Sequence, residues 1–201
     1  MQKWLIGIDE AGRGPLAGPV SVGVVLVPSN FDWEQIQGVN DSKKLSPEKR
    51  EALFRQAQVL KREGKLDYAV AMVSAKVIDV SGIVPSVTRA MSQALKKIHR
   101  PDLCKEVAVK LDGGLKAPKE FLHQETIIKG DQKELSIGLA SIMAKVTRDR
   151  YMERVGKQSK YARYELAVHK GYGTKAHRLA IKKHGCTDLH RVTYCKNIWR
   201  G

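Results

Sequence analysis

Four acidic residues stand where an apolar stretch of the sequence gives way to a loop that contains glycine. They are Asp9, Glu10, Asp112 and Asp131. Carboxylate oxygens without cysteine or histidine partners are the ligands that Mg²⁺ and Mn²⁺ prefer. At an effective dielectric constant of about 20, two carboxylates about 4 Å apart repel by roughly 4 kcal/mol, so a gathering of four favours bound cations. Two such ions about 4 Å apart can hold both the attacking water and the leaving oxygen of a phosphodiester hydrolysis.

These acids can meet only if the strands before them end at one edge of a sheet. The sequence predicts apolar strands over residues 4–8, 106–111 and 124–128. Strand ends in α/β sheets converge on one crevice. Because adjacent side chains on a strand face opposite ways, Asp9 and Glu10 share a site only if the strand ends there and the backbone bends. Taken singly, Asp112 and Asp131 fit equally well as turn residues, since Asp-Gly and Gly-Asp pairs are common in turns.

A glycine-containing loop follows the first acid pair, with Gly12, Gly14 and Gly18 and a cation, Arg13. Glycine leaves backbone N–H groups uncovered, and such a loop suits a phosphate or a sugar hydroxyl. The spacing G-x-G-x-x-x-G differs from the dinucleotide-binding G-x-G-x-x-G, and no G-K-[ST] sequence follows. Dinucleotide and ATP binding therefore lose their main support.

The composition points to a polyanionic partner. The 201 residues include 36 Lys and Arg against 21 Asp and Glu, a net charge of +15. This excess favours nucleic acid, although a basic protein kept soluble by its charge is the alternative. The three cysteines show no CxxC spacing, which favours reduced thiols and a cytoplasmic location. No secretory signal or membrane-spanning apolar run is expected, and so no membrane partner.

The rest of the chain alternates between helical and strand patterns. We predict one further strand pair and five helices, over residues 20–27 and 67–73 for the strands and 47–64, 74–80, 86–99, 135–155 and 174–183 for the helices. The histidines lack a zinc-type spacing with the cysteines and are assigned to surface or capping roles: His169, His177 and His190. Asp149 lies several helical turns past Asp131 and is interpreted as structural.

Seven segments together resemble bacterial ribonuclease HII: residues 7–19, 40–45, 111–113, 129–131, 140–150, 169–174 and 190–191. The resemblance implies an α/β fold of the ribonuclease-H-like kind, a mixed five-stranded sheet flanked by helices with a helical C-terminal extension. We expect a single domain over residues 1–201, with a catalytic core over about 1–160 and a substrate-binding part over about 161–201. No oligomer seam is visible in the sequence, so a monomer is expected.

The resemblance also implies an activity. It implies an endonuclease that cuts the RNA strand of RNA–DNA hybrids and single ribonucleotides embedded in duplex DNA, leaving 3′-hydroxyl and 5′-phosphate ends. The family's metal-site acids fall on the four acids above, with two Mg²⁺ or Mn²⁺ ions expected alongside substrate. Its ribonucleotide-sensing loop and stacking tyrosine fall on Gly12, Arg13, Gly14 and Tyr172. Further phosphate contacts are expected at Lys43, Lys44, Ser141 and Lys145.

Some positions depart from the family pattern, namely Val84, Glu165, Leu166, Thr193 and Tyr194. All lie outside the acid set, so they concern the fine structure of the C-terminal part. Two other functions compete with the ribonuclease hypothesis. One is a nucleic-acid-binding module whose acids are vestigial, and the other is a DNA endonuclease of the same fold. The 2′-hydroxyl is what separates RNA from DNA, so the glycine loop and Tyr172 argue against the second.

Overall fold

A mixed five-stranded sheet in the order β3-β2-β1-β4-β5 forms the centre of the computed structural model, which describes residues 3–39, 45–98 and 103–199. The strands are β1 Trp4–Ala11, β2 Val20–Pro28, β3 Asp67–Val73, β4 Val107–Asp112 and β5 His123–Ile127. β1 pairs antiparallel with β2 and parallel with β4, which itself pairs parallel with β5. The predicted mixed sheet is confirmed.

Helices cover both faces of the sheet and build the C-terminal part. They are α1 Pro47–Arg62, α2 Ala75–Ser81, α3 Ile83–Lys97, α4 Leu103–Glu106, α5 Gly130–Lys133, α6 Leu135–Gly156, α7 Ser159–Ala162, α8 Leu166–His169, α9 Lys175–His184 and α10 Val192–Cys195, with short 3-10 turns at Trp33–Ile36 and Lys196–Ile198. Each of the five predicted helices is present with small shifts at its ends. No helix in the described ranges is long and apolar enough to cross a membrane.

Helix α6 is the element against which the site strands pack. Its apolar residues, including Leu139, Ile142 and Met143, are fully buried against the sheet. The helix approaches so closely that a Cβ at Gly7 or Gly23 would overlap its backbone. These two positions on β1 and β2 therefore require glycine for steric reasons. Helix α3 covers the opposite face of the sheet.

Strand β1 is longer than the sequence predicts. Its ladder with β4 stops at the pair Ile8–Leu111, whereas its ladder with β2 continues to the pair Ala11–Ser21. The expectation that the strand ends before the acid pair is therefore wrong, because the antiparallel partner carries β1 three residues further. Alternation along the strand then places Asp9 on the α6 face and Glu10 on the opposite face.

Candidate active site and the loop beside it

Asp9 and Asp112 lie side by side on β1 and β4, each one residue past the last pair of the β1–β4 ladder. Asp112 ends β4, whereas β1 continues beyond Asp9 to Ala11. Asp9 is only 2% exposed. Burial raises the pKa of this carboxyl well above its usual range, and the nearby charges of Glu10 and Asp112 raise it further. Hydrogen bonds from the Ser141 hydroxyl and from the Glu10 N–H, at 2.7 Å, act in the opposite direction. The first three acids therefore share one electrostatic environment, with Ser141 of α6 holding Asp9.

Asp112 is tied to the segment that carries Asp131. Its Oδ1 accepts a hydrogen bond of 2.7 Å from the N–H of Gly130. Lys129 takes a left-handed conformation, with φ 56°, and turns the chain from β5 into α5. A Cβ on Gly130 would meet Cδ1 of Ile137 at 2.6 Å, so a larger residue there would displace the Ile137 side chain. The fully buried Asp131 follows at once, so it sits one residue from the donor that orients Asp112.

Glu10 has one carboxylate oxygen in an ion pair and the other without a partner. Its Oε1 accepts from Nη1 of Arg13 at 3.1 Å. Its Oε2 is buried with no hydrogen-bond partner within the part of the chain that the structure describes. A buried carboxylate oxygen left unpaired is unfavourable. This atom is thus available to a cation.

The donor set fits a hard divalent ion, although it is not preassembled as a cage. Within residues 3–39, 45–98 and 103–199, no three Asp, Glu, His or Cys side chains are placed to hold one ion as they stand. The buried, mutually repelling carboxylates and the unpaired Glu10 Oε2 have the all-oxygen chemistry that Mg²⁺ and Mn²⁺ require. Binding an ion would draw these side chains together and relieve their repulsion.

Two buried arginines, for which the sequence predicts no role, hold the glycine-containing loop. Arg191 donates to the carbonyls of Gly12, Arg13 and Gly18 at 2.6, 2.7 and 3.0 Å. Arg148 donates to the carbonyls of Pro19, Lys170 and Ala17 at 2.8, 2.9 and 3.0 Å. Ala17 and Pro19 flank Gly18, the last glycine of the loop. Both side chains have 0% exposure, and neither forms a salt bridge among the described residues. Backbone carbonyls therefore take the place of a counter-ion.

The two guanidinium groups stay charged despite their burial. Desolvation, reinforced by the charge of Arg148, lowers the pKa of Arg191 to about 10. Desolvation likewise lowers the pKa of Arg148. The sequence does contain a signal for Arg148, because it falls four residues from Ala144 and from Met152 on the buried side of α6. A charged residue in that row predicts a buried polar contact.

Tyr172, the predicted stacking residue, lies beside this loop. The carbonyl of Gly171 accepts from the N–H groups of Leu16 and Ala17 at 2.9 and 3.2 Å, which docks the tyrosine segment on the loop. The ring is 43% exposed. Lys145 Nζ lies 5.3 Å from the ring centroid. Tyr172, Lys145 and the glycine-containing loop therefore belong to one surface.

Of the four predicted phosphate contacts, two are described by the structure and two are not. Ser141 binds Asp9, as described above, and Lys145 pairs with Asp149 at 2.9 Å. The interpretation of Asp149 as structural agrees with this ion pair. Lys43 and Lys44 lie outside the described residues.

Two of the three histidines are buried beneath Tyr172, so their predicted surface location is wrong. His177 and His190 are 0% and 2% exposed, and their Nε2 atoms lie 3.0 Å apart. His190 Nδ1 accepts from the Thr187 N–H at 2.9 Å, so its Nε2 carries the proton and donates to His177. His177 Nδ1–H then donates to the Tyr172 carbonyl at 2.9 Å. Burial lowers the pKa of each ring to about 4.

A mixed sheet with paired carboxylates at its β1 and β4 ends, under a strongly basic exterior, defines a nuclease of the ribonuclease-H-like class. The profile of the family described as Ribonuclease HII matches residues 6–197. A Ribonuclease HII of Caldicellulosiruptor bescii is 44% identical over 197 residues, covering 98% of this chain and 88% of the relative. The chain belongs to the ribonuclease HII family. It is thereby a metal-dependent endoribonuclease that acts on the RNA of RNA–DNA hybrids.

Solved structures show the same fold. The crystal structure of the ribonuclease H2 from Pyrococcus horikoshii OT3 superposes with a TM-score of 0.70 at 28% identity, covering 98% of this chain and 97% of that one. The crystal structure of Bst-RNase HIII in complex with Mn²⁺ gives a TM-score of 0.69 at 18% identity, covering 99% of this chain and 70% of that one. The expected family and fold are confirmed.

Proposed function

We propose that the enzyme cuts at single ribonucleotides embedded in duplex DNA as well as in RNA–DNA hybrids, leaving 3′-hydroxyl and 5′-phosphate ends. Asp9, Glu10, Asp112 and Asp131 hold two divalent ions in this proposal. The observation that carries it is that the Asp9 and Asp112 carboxylates lie side by side on β1 and β4, and that β1 is followed along the chain by the exposed Arg13 and Gly14, with Arg13 in an ion pair with Glu10. One part of that surface suits a phosphodiester with its metal ions, and the other suits a ribose hydroxyl.

The chain's own residues fix the acids for this role. The Ser141 hydroxyl orients Asp9 from α6, and the Gly130 N–H orients Asp112 from the start of α5. Mg²⁺ or Mn²⁺ at these carboxylates would supply Lewis-acid stabilisation of the attacking and leaving oxygens. The Mn²⁺ complex of the Bst-RNase HIII neighbour supports an ion of this class.

A second group of residues binds the substrate in this proposal. The backbone of the Gly12–Arg13–Gly14 segment, of which Arg13 and Gly14 are exposed, contacts the ribose 2′-hydroxyl, and the half-exposed Tyr172 ring stacks on the neighbouring deoxyribose. Lys145, Lys43 and Lys44 contact phosphates, supported by the net charge of +15. Because Tyr172 docks on the loop, residues of the C-terminal part from about 161 onward complete a binding surface that begins at residue 12. The protein acts as a monomer in this proposal.

Cleavage of three matched duplexes tests the proposal: a long RNA–DNA hybrid, a DNA duplex with one ribonucleotide, and the same duplex entirely of DNA. We expect the wild type to cut the first two only with Mg²⁺ or Mn²⁺, and a polymerase to extend the products from their 3′-hydroxyl ends. Asp112→Asn should cut neither duplex while its affinity for them stays largely intact. The control is Asp32→Asn, because Asp32 is exposed and asparagine caps its 3-10 turn equally well.

Each failure has a distinct meaning. Near-normal turnover by Asp112→Asn would refute the assignment of the acids. Cutting of the all-DNA duplex would favour a DNA endonuclease. Binding by the wild type without cleavage in either metal would favour a nucleic-acid-binding module.

A further inference from the structure

The hydrogen bonds of Arg191 determine which way two peptide groups of the loop face. Its terminal nitrogens take the carbonyls of Gly12 and Arg13. In a trans peptide the C=O and the following N–H point in opposite directions. With both carbonyls turned inward to the buried guanidinium, the N–H groups of Arg13 and Gly14 are turned away from the protein interior.

Those two N–H groups are placed to bind a ligand. Arg13 and Gly14 are exposed, and a Cβ at Gly14 would meet no atom within 4 Å. No backbone carbonyl in the described ranges accepts from the N–H of Gly12, Arg13 or Gly14. The loop thus presents two adjacent N–H donors to solvent, next to the ion pair of Arg13 with Glu10.

An arginine is the side chain that can hold this arrangement. Its planar fork reaches the carbonyls of Gly12, Arg13 and Gly18 at the same time. The single ammonium of a lysine cannot present that fixed spacing of donors. A charged donor on a carbonyl also polarises the peptide, which strengthens donation by the N–H on its other side.

Arg148 offers a matched comparison. It is equally buried and also makes three bonds to carbonyls, but these belong to Ala17, Pro19 and Lys170. It packs beneath Gly12 without binding the carbonyls of the Gly12–Gly14 stretch. Loss of either arginine disturbs a buried polar network, whereas only Arg191 orients the outward N–H groups.

We propose that Arg191 is the positioning residue for ribose recognition, which it achieves by aiming the N–H groups of Arg13 and Gly14 at the 2′-hydroxyl oxygen. This inference rests on the proposed function, because it assumes that the loop meets a ribonucleotide. Arg191 itself touches no substrate. Its effect is on the preference for ribose over deoxyribose rather than on the affinity for duplex in general.

The test measures binding preference in Asp112→Asn protein, so that no duplex is cut. Fluorescence anisotropy gives the Kd for a DNA duplex with one ribonucleotide and for the same duplex entirely of DNA. Because a hydrogen bond contributes about 0.5–1.5 kcal/mol, Arg191→Lys should lower the preference for the ribonucleotide about fivefold for each bond lost. Affinity for the all-DNA duplex should change less than about twofold, since the phosphate contacts remain.

Arg148→Lys in the Asp112→Asn protein separates the orientation of the loop N–H groups from a general loss of stability. It should lower thermal stability about as much as Arg191→Lys does but lower the preference less, because Arg148 lies 5.8 Å from the Tyr172 ring centroid without binding the carbonyl of Gly12 or Arg13. An unchanged preference in Arg191→Lys, or an equal fall in both variants, would overturn the proposal. Cleavage by the wild type, measured in parallel, reports on the proposed function separately from this ratio.

A second measurement keeps the native arginine and stands even if Arg191→Lys does not fold. Amide hydrogen exchange is followed at Arg13 and Gly14 in the Asp112→Asn protein. Both amides should exchange rapidly in the free protein and become protected by the ribonucleotide duplex, with less protection by the all-DNA duplex. Equal protection by the two duplexes, or slow exchange in the free protein, would contradict the outward orientation.

Discussion

Acidification from pH 7 towards pH 4 should destabilise the segment beneath Tyr172, because the fold holds His177 and His190 neutral. Burial sets the pKa of each ring at about 4, against 6.5 for the ordinary side chain. Between these values the unfolded chain binds more protons than the folded one. Stability is therefore fully present above pH 6.5 and is lost as the pH falls towards 4.

The size of the effect follows from the separation of the two pKa values. At about 1.4 kcal/mol per pH unit, about 2.5 pH units give a loss of about 3.5 kcal/mol for each histidine. The two rings share one hydrogen bond, at 3.0 Å between their Nε2 atoms. Once one of the two rings is protonated, its charge opposes protonation of the other. We therefore expect the combined loss of stability to differ from twice the loss for one histidine. The ring of His169 stacks on that of His177 with centroids 4.3 Å apart, and this neighbour contributes to the lowered pKa of His177.

Urea denaturation from pH 7.5 to 4 measures this loss, with His190→Asn as the comparison. Asparagine can still accept the Thr187 N–H that His190 Nδ1 accepts now. The variant should therefore lose the titrating ring and show a pH slope shallower by about 1.4 kcal/mol per pH unit. Carboxylates that titrate below pH 5 affect both proteins alike. Equal slopes in the two proteins, or an NMR titration of the His177 ring centred near pH 6.5, would refute the reasoning.

Two further predictions concern the substrate surface and the sheet. Tyr172→Ala should lower cutting at a single ribonucleotide more than cutting of a long hybrid, since the proposed stacking partner is a deoxyribose, which the RNA strand of a long hybrid lacks; an equal loss in a steady-state assay would argue against the stacking role. Gly23→Ala should destabilise the fold by about 3 kcal/mol or more, because its Cβ would overlap the Ala140 carbonyl of α6. In urea denaturation Gly114→Ala should stay within about 0.5 kcal/mol of wild type, since a Cβ there meets nothing within 4 Å; a similar loss in both variants would contradict the close packing of α6.

Those parts of the candidate site that depend on short stretches of consecutive residues could be predicted from the sequence. Asp9 and Asp112 could be predicted to follow apolar strands because an apolar run followed by an acid and a glycine occupies fewer than ten residues. Parallel pairing of β1 with β4 then places the two acids side by side. The length of β1 was not predictable in the same way, since the partner strand β2 extends its ladder to Ala11. Glu10 accordingly falls on the other face of the sheet from Asp9.

The amino-acid sequence by itself predicted the five strands and the long helix, because hydrophobic periodicity is written in consecutive residues. The mixed arrangement of the sheet was implied by the resemblance to the ribonuclease HII family, and the acids proposed as metal ligands follow from local patterns near strand ends. Only the tertiary structure decided the roles of Arg191 and of the two buried histidines. Arg191 binds a carbonyl 179 positions earlier in the chain. Such a bond depends on how distant segments dock, and a backbone carbonyl looks the same in every residue type. The side chains that orient the loop therefore carry no local pattern by which their partners could be recognised.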